Sequence, residues 1–127
     1  MQLARARVCC GGMSSYGFEV VEPEHGTVRI DLSGELDLTN AAELELRLVE
    51  AAPSDVRLVL DLNRVSFVDS AAIHLLFELA RRRGWDGLAV VLDPDAQIAR
   101  TLEIVELARV TTVAASLEEL AISAERP

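Results

Sequence analysis

Apolar and polar positions alternate along this chain first with a period of two and then, repeatedly, with a period near that of a helix. Phe18 and Val20, then Val28, Ile30 and Leu32, alternate with polar neighbours and predict two strands. Pro23-Glu24-His25-Gly26 lies between them and has turn composition, so the pair reads as a hairpin. Asn40, with Glu43 three positions on, predicts a capped helix start. Ala41, Leu44, Leu48, Ala51 and Ala52 continue its apolar face until Pro53. From Arg57 to Asn63, Leu58, Leu60 and Leu62 fall on one side and Val59 on the other, the pattern of a central strand covered on both faces.

After a short loop, Asp69 and Ser70 supply capping oxygens for a second helix, with Ala72, Ile73, Leu76, Leu79 and Ala80 on one face and Gly84 as its stop. Leu88 to Leu92 reads as another buried strand. Asp93-Pro94 then opens a helix that aligns Ile98, Leu102 and Val105. Val110 to Val113 is a short last strand, and Ser116 with Glu119 makes a capping box before Leu117, Leu120, Ala121 and Ala124. The order β-β-α-β-α-β-α-β-α predicts an α/β fold. Helical crossovers favour parallel neighbours, the opening hairpin adds an antiparallel pair, and about four helices pack the mixed sheet.

With 127 residues, half of them apolar, the chain suits one domain with one core. Residues 17–127 are assigned to that domain and residues 1–16 to a flexible N-terminal tail. Twenty-one acidic residues against 12 basic ones, all Arg, give a net charge of -9, which disfavours nucleic acid and anionic membranes and favours a protein partner. The longest apolar run, Leu88 to Leu92, is far below the roughly 20 residues a membrane span needs, so no membrane insertion is expected. Cys9 and Cys10 are adjacent, and His25 and His74 are the only histidines, which provides neither a disulfide framework nor a metal ligand set. No glycine-rich phosphate loop is present, so no cofactor is expected. The start has no secretory pattern, and a cytoplasmic location is expected.

Chemistry concentrates where the buried strand runs into the second helix. Asp69 and Ser70 sit at the edge where parallel strands end and helices begin, a common place for ligands and partners, and capping is compatible with such a role. A hydrolase would combine Ser70 with His74 one turn on and Asp69 or Asp61 behind it. The chain lacks the Gly-x-Ser-x-Gly nucleophile turn, and no enzyme activity is expected. Arg81-Arg82-Arg83 complements a helix C-terminus, Trp85 is expected to pack beside Gly84, and Phe67 and Phe77 are assigned to core or edge positions.

Three segments together resemble the STAS domain and, within it, the bacterial anti-sigma factor antagonists. These are Leu32-Ser33-Gly34-Glu35-Leu36-Asp37, the strand Leu58-Val59-Leu60-Asp61-Leu62, and Val65-Ser66-Phe67-Val68-Asp69-Ser70. The resemblance implies that Ser70 is phosphorylated by an anti-sigma factor serine kinase of GHKL type and restored by a phosphatase. It further implies that the unmodified protein binds the anti-sigma factor and frees a sigma factor. Asp37, Asp69, Ser70, Ala71, Ala72 and His74 are the expected partner contacts, with Asp37 equally suited to shaping a turn in a Gly34–Asp37 loop. Phosphate at a helix start is compatible with the fold, because backbone N–H groups there favour anions. The family commonly has a small polar residue and then Gly after the serine, whereas this chain has Ala71 and Ala72. An alternative within the same family is an unphosphorylated accessory subunit of a lipid-transport ATPase or a sensory scaffold.

Overall fold

A computed structural model describes residues 16–24 and 26–124. Five strands form one sheet in the order β1-β2-β3-β4-β5: β1 (Tyr16–Glu24), β2 (Thr27–Leu36), β3 (Arg57–Val68), β4 (Leu88–Val91) and β5 (Thr112–Ala114). The first pair is antiparallel and the other three pairs are parallel. The helices are α1 (Ala41–Ala51), α2 (Ser70–Arg83), α3 (Ala99–Ile104) and α4 (Leu117–Ala124), in the order the periodicity predicts. A 3-10 turn, Leu107–Arg109, precedes β5.

Alternation along the strands divides the sheet between two layers. Val28, Ile30 and Leu32 of β2, Leu58, Leu60 and Leu62 of β3, and Leu88 and Val90 of β4 meet Leu44 and Leu48 of α1, Leu76 and Leu79 of α2, and Leu102 of α3 in one core. Val59, Ala89, Val91 and Ala114 face the other way, against Leu120 of α4. The strand expected to be central is β3, with neighbours on both sides. Beyond the reach of α4, that second face is polar: Arg29 donates to Asp31 at 2.8 and 3.1 Å and lies 3.7 Å from Asp61.

Several boundaries differ from the sequence expectation, each for a local reason. β1 starts at Tyr16, which is buried, and continues through Pro23 and Glu24. An edge strand tolerates proline, and its register shifts between Val21 and Glu24. Residues 34 to 36 belong to β2 and not to a loop; Gly34 takes a φ of 83° next to a register shift against β3. The segment expected as a loop after Asn63 is strand, because Arg64, Val65, Phe67 and Val68 pair with Ser33, Gly34, Glu35 and Leu36. α3 begins at Ala99, not at Pro94, since the Asp93 carboxylate accepts from the Asp95 N–H at 2.8 Å and turns the chain.

The α2 end is fixed by geometry only glycine provides. Gly84 has φ 78° and ψ 175°, a region essentially closed to residues with a side chain. At Gly87 a Cβ would lie 2.2 Å from the Arg83 carbonyl oxygen. The three arginines before this turn reach separate partners: Arg81 pairs with Glu78, Arg82 with Glu45 of α1, and Arg83 donates to the Ala52 and Val56 carbonyls beyond the end of α1. Helices α1 and α2 are thereby tied together along one face of the sheet.

Candidate protein interaction site

The ends of β2 and β3 are neighbours, so the segments that follow them emerge side by side. Leu36 pairs with Val68, and the Asp69 N–H donates to the Leu36 carbonyl at 3.3 Å. From there one carboxylate organises both segments. Asp69 Oδ1 accepts from the Ala72 N–H, capping α2, and Oδ2 accepts from the Leu38 N–H, each at 3.0 Å. The Ala72 bond, with help from Leu38, holds the Asp69 carboxyl below its ordinary range against the opposing effect of partial desolvation.

The loop from β2 to α1 is built by Asp37 and Asn40. The Asp37 carboxylate accepts from the Thr39 N–H at 3.0 Å and from its hydroxyl at 2.5 Å. Asn40 is buried; its side chain accepts from the Asp37 N–H and donates to the Glu35 carbonyl, both at 3.0 Å. It makes no side-chain cap on α1, contrary to the capping box expected with Glu43. Glu43 instead accepts from the Tyr16 hydroxyl at 3.1 Å, and Arg47 lies over the Tyr16 and Phe18 rings. The turn role of Asp37 is thus accounted for by its bonds to Thr39.

Ser70 is the first residue of α2 and is exposed. Asp69 does the capping, while the Ser70 hydroxyl has no hydrogen-bond partner among the described residues, so the expectation that both side chains cap is corrected. The hydroxyl borders an open groove between α1 and α2. Leu38, Ala41, Ala42 and Glu45 line one wall; Ser70, Ala71, His74, Leu75, Glu78 and Arg82 line the other. His74 is exposed, its Nε2 lies 4.0 Å from a Glu78 oxygen, and Arg81 holds the Glu78 carboxyl below its usual range through a hydrogen bond. Of the six expected contacts, Ser70, Ala71 and His74 line this groove; Asp69 adjoins it through its bond to Leu38, and Asp37 lies in the loop before α1 without lining it.

Ala72 does not join them at the surface. Its methyl is 2% exposed and packs into the core beside Leu76, so only its N–H contributes, through Asp69. Leu38 was missed in the sequence. It is 76% exposed between Asp69's carboxylate and the groove, and its only sequence signal was an apolar residue stranded in a polar turn. Phe67, assigned to core or edge, is about half exposed near the end of β3, and Trp85 is likewise exposed beside Gly84.

Among the described residues no group of three or more His, Cys, Asp or Glu is placed to hold a metal ion, and no helix is long and apolar enough to cross a membrane. Cys9, Cys10 and His25 lie outside the described residues. The family model of the STAS domain matches residues 20–120. The chain belongs to the STAS domain family.

Solved structures place this STAS domain among known folds. It is similar to an anti-sigma factor antagonist from Mycobacterium paratuberculosis, with a TM-score of 0.74 and 26% identity over 89% of this chain and 96% of that one. The Bacillus cell fate determinant SpoIIAA in its phosphorylated form shares the fold, with a TM-score of 0.55 and 22% identity over 86% and 99% of the two chains. So does a part of the murine anion transporter Slc26a9: TM-score 0.62, 17% identity, 83% of this chain and 19% of that one. One architecture thus serves proteins of different kinds, and a role for this domain has to be argued from its site.

Proposed function

We propose that this STAS domain is a cytoplasmic anti-sigma factor antagonist that binds an anti-sigma factor, frees a sigma factor, and is switched off by phosphorylation of Ser70. The observation that carries the reading is an unpartnered, exposed hydroxyl at the first position of α2, beside a groove. Likeness to a mycobacterial protein described as an anti-sigma factor antagonist supports it.

In the proposed step, the Ser70 Oγ attacks the γ-phosphorus of ATP held by the partner, a serine kinase of GHKL type. The bond from that phosphorus to the ADP oxygen breaks, ADP leaves, and the hydroxyl proton passes to a base on the kinase. This domain supplies only the acceptor. A phosphatase reverses the change by hydrolysing the phosphoserine.

Release follows from electrostatics at this position. The Ala72 N–H already serves Asp69, so a phosphate on Ser70 gains less from the helix start than an uncapped helix would offer. It instead adds about -1.5 to -2 charge next to a carboxylate held ionised, with Glu45 and Glu78 in the same groove. A partner that covers Ser70 with apolar or acidic groups must then desolvate a dianion among carboxylates and is released, while the fold is untouched because the hydroxyl makes no internal bond.

The test is incubation of the full chain with its anti-sigma factor kinase and ATP, followed by peptide mass mapping. One phosphate on Ser70, absent in Ser70→Ala, is the expected result. Modification at another residue, or none by a kinase shown to bind the chain, overturns the proposal.

A further inference from the structure

The outer face of α1 carries apolar side chains that no described element covers. Leu44 and Leu48 point into the core, and on the opposite side Ala42, Leu46 and Val49 recur at spacings of four and three. Leu46 is 68% exposed and Val49 48%. Leu38 continues the line past the helix start into the wall of the Ser70 groove. Isolated exposed leucines are ordinary, but an aligned run ending at a candidate modification site has the form of a docking surface. Its helical part, Ala42 to Val49, spans about two turns at about 1.5 Å per residue.

Charge selects the occupant. At about 100° per residue, Glu45 borders the stripe on the α2 side, where it pairs with Arg82. Glu43 and Glu50 border it on the β1 side, where Glu43 meets Tyr16. Arg47, the single cation of α1, is turned over the Tyr16 and Phe18 rings and away from the stripe. A second copy of this chain would bring carboxylates against carboxylates at a net charge of -9 each, and anionic lipid headgroups would meet the same obstacle. A helix whose apolar face is bordered by cations, above all on the side that meets Glu43 and Glu50 because Arg82 already pairs with Glu45, satisfies the stripe and its border together.

We propose that Leu38, Ala42, Leu46 and Val49 form a docking stripe for an amphipathic helix of the partner whose apolar face is flanked by arginine or lysine. Gripped there, the partner presents its active site to Ser70. The inference rests on the reading of Ser70 as that partner's substrate, and its test has an arm independent of that reading.

In that arm, isotope-labelled full chain is titrated with a synthetic amphipathic helix of about 18 residues bearing a leucine face flanked by arginines, and with the same peptide carrying glutamates instead. The arginine peptide is expected to shift the amide signals of Ala42, Leu46 and Val49. The paired change Leu46→Ser with Val49→Ser should weaken it about tenfold without altering the melting temperature, while Arg109→Ala, on the exposed 3-10 turn outside the groove, has no effect. Equal shifts with both peptides, a map centred on another surface, or no binding of either overturns the stripe. In the kinase reaction the paired variant should raise KM for the chain about tenfold at unchanged kcat, and an unchanged KM overturns it as well. If no bound kinase modifies Ser70 in the wild type, the Ser70 reading fails and the peptide titration still decides the stripe.

Discussion

Asp69 accepts the backbone N–H of Leu38 at 3.0 Å across 31 positions of sequence, with the oxygen it does not use to cap α2. That second bond ties the β2 to α1 loop to the residue that precedes Ser70.

Asp69→Asn separates the two roles. An amide has one acceptor oxygen, so the variant keeps the bond to Ala72 or the bond to Leu38 but not both. The expected outcome is a lower melting temperature together with faster hydrogen exchange at one of those two amides. Protection unchanged at both would contradict the stapling role.

Acid should reveal the same carboxylate. Its folded pKa lies below the ordinary 3.8 because backbone N–H groups, that of Ala72 first, favour the ionised form. The stability it contributes is therefore complete above the ordinary value and is lost as pH falls through the depressed one. Glu78, depressed chiefly by its bond to Arg81, titrates in the same direction, so the wild type must be compared with Asp69→Asn. The stability difference between them should be constant near neutral pH and shrink below about pH 4.

Arg83 offers a test of the tie between the helices. Its guanidinium donates to the carbonyls of Ala52 and Val56, and partial burial, with Arg82 nearby, lowers its pKa without neutralising it at physiological pH. Arg83→Ala should cost about 1–2 kcal/mol in urea unfolding, at the low end for charged hydrogen bonds because part of the group is screened by water. A loss of activity without a loss of stability would assign it a different role.

Thr111 isolates a single buried bond. Its side chain is fully buried, and the hydroxyl donates to the Leu88 carbonyl at 2.7 Å. Thr111→Val keeps the shape and leaves that oxygen with one partner fewer, so a loss of about 1 kcal/mol is expected, read from the denaturation midpoint at constant slope.

Patterning located each strand and α-helix because the core of this sheet is built largely from Leu, Val and Ile, alternating in β2 and forming continuous apolar runs in the central β3 and β4. Where that alternation met irregular backbone, the reading slipped. Arg64 and Ser66 look like loop residues, yet β3 continues there because its partner β2 bulges at Gly34 to stay paired. Asn40 looks like a cap, yet burial turns its amide to Glu35 and Asp37. At the site, Asp69 and Ser70 were legible as a helix start. Which of them caps, the burial of the Ala72 methyl and the exposure of Leu38 depend on how the loop after β2 meets α2, and no single-sequence period encodes such a contact.

Ser70→Asp should leave the circular dichroism spectrum at wild type, since the exposed hydroxyl makes no internal bond and acidic groups suit a helix start. Lost helicity would mean that the modification acts by unfolding.

The most direct measurement compares unmodified chain with chain carrying a mapped phosphate on Ser70, each titrated calorimetrically into the anti-sigma factor. The account predicts binding weaker by about tenfold or more for the phosphorylated form, with the same fold by spectroscopy. Equal affinity of the two forms would contradict it.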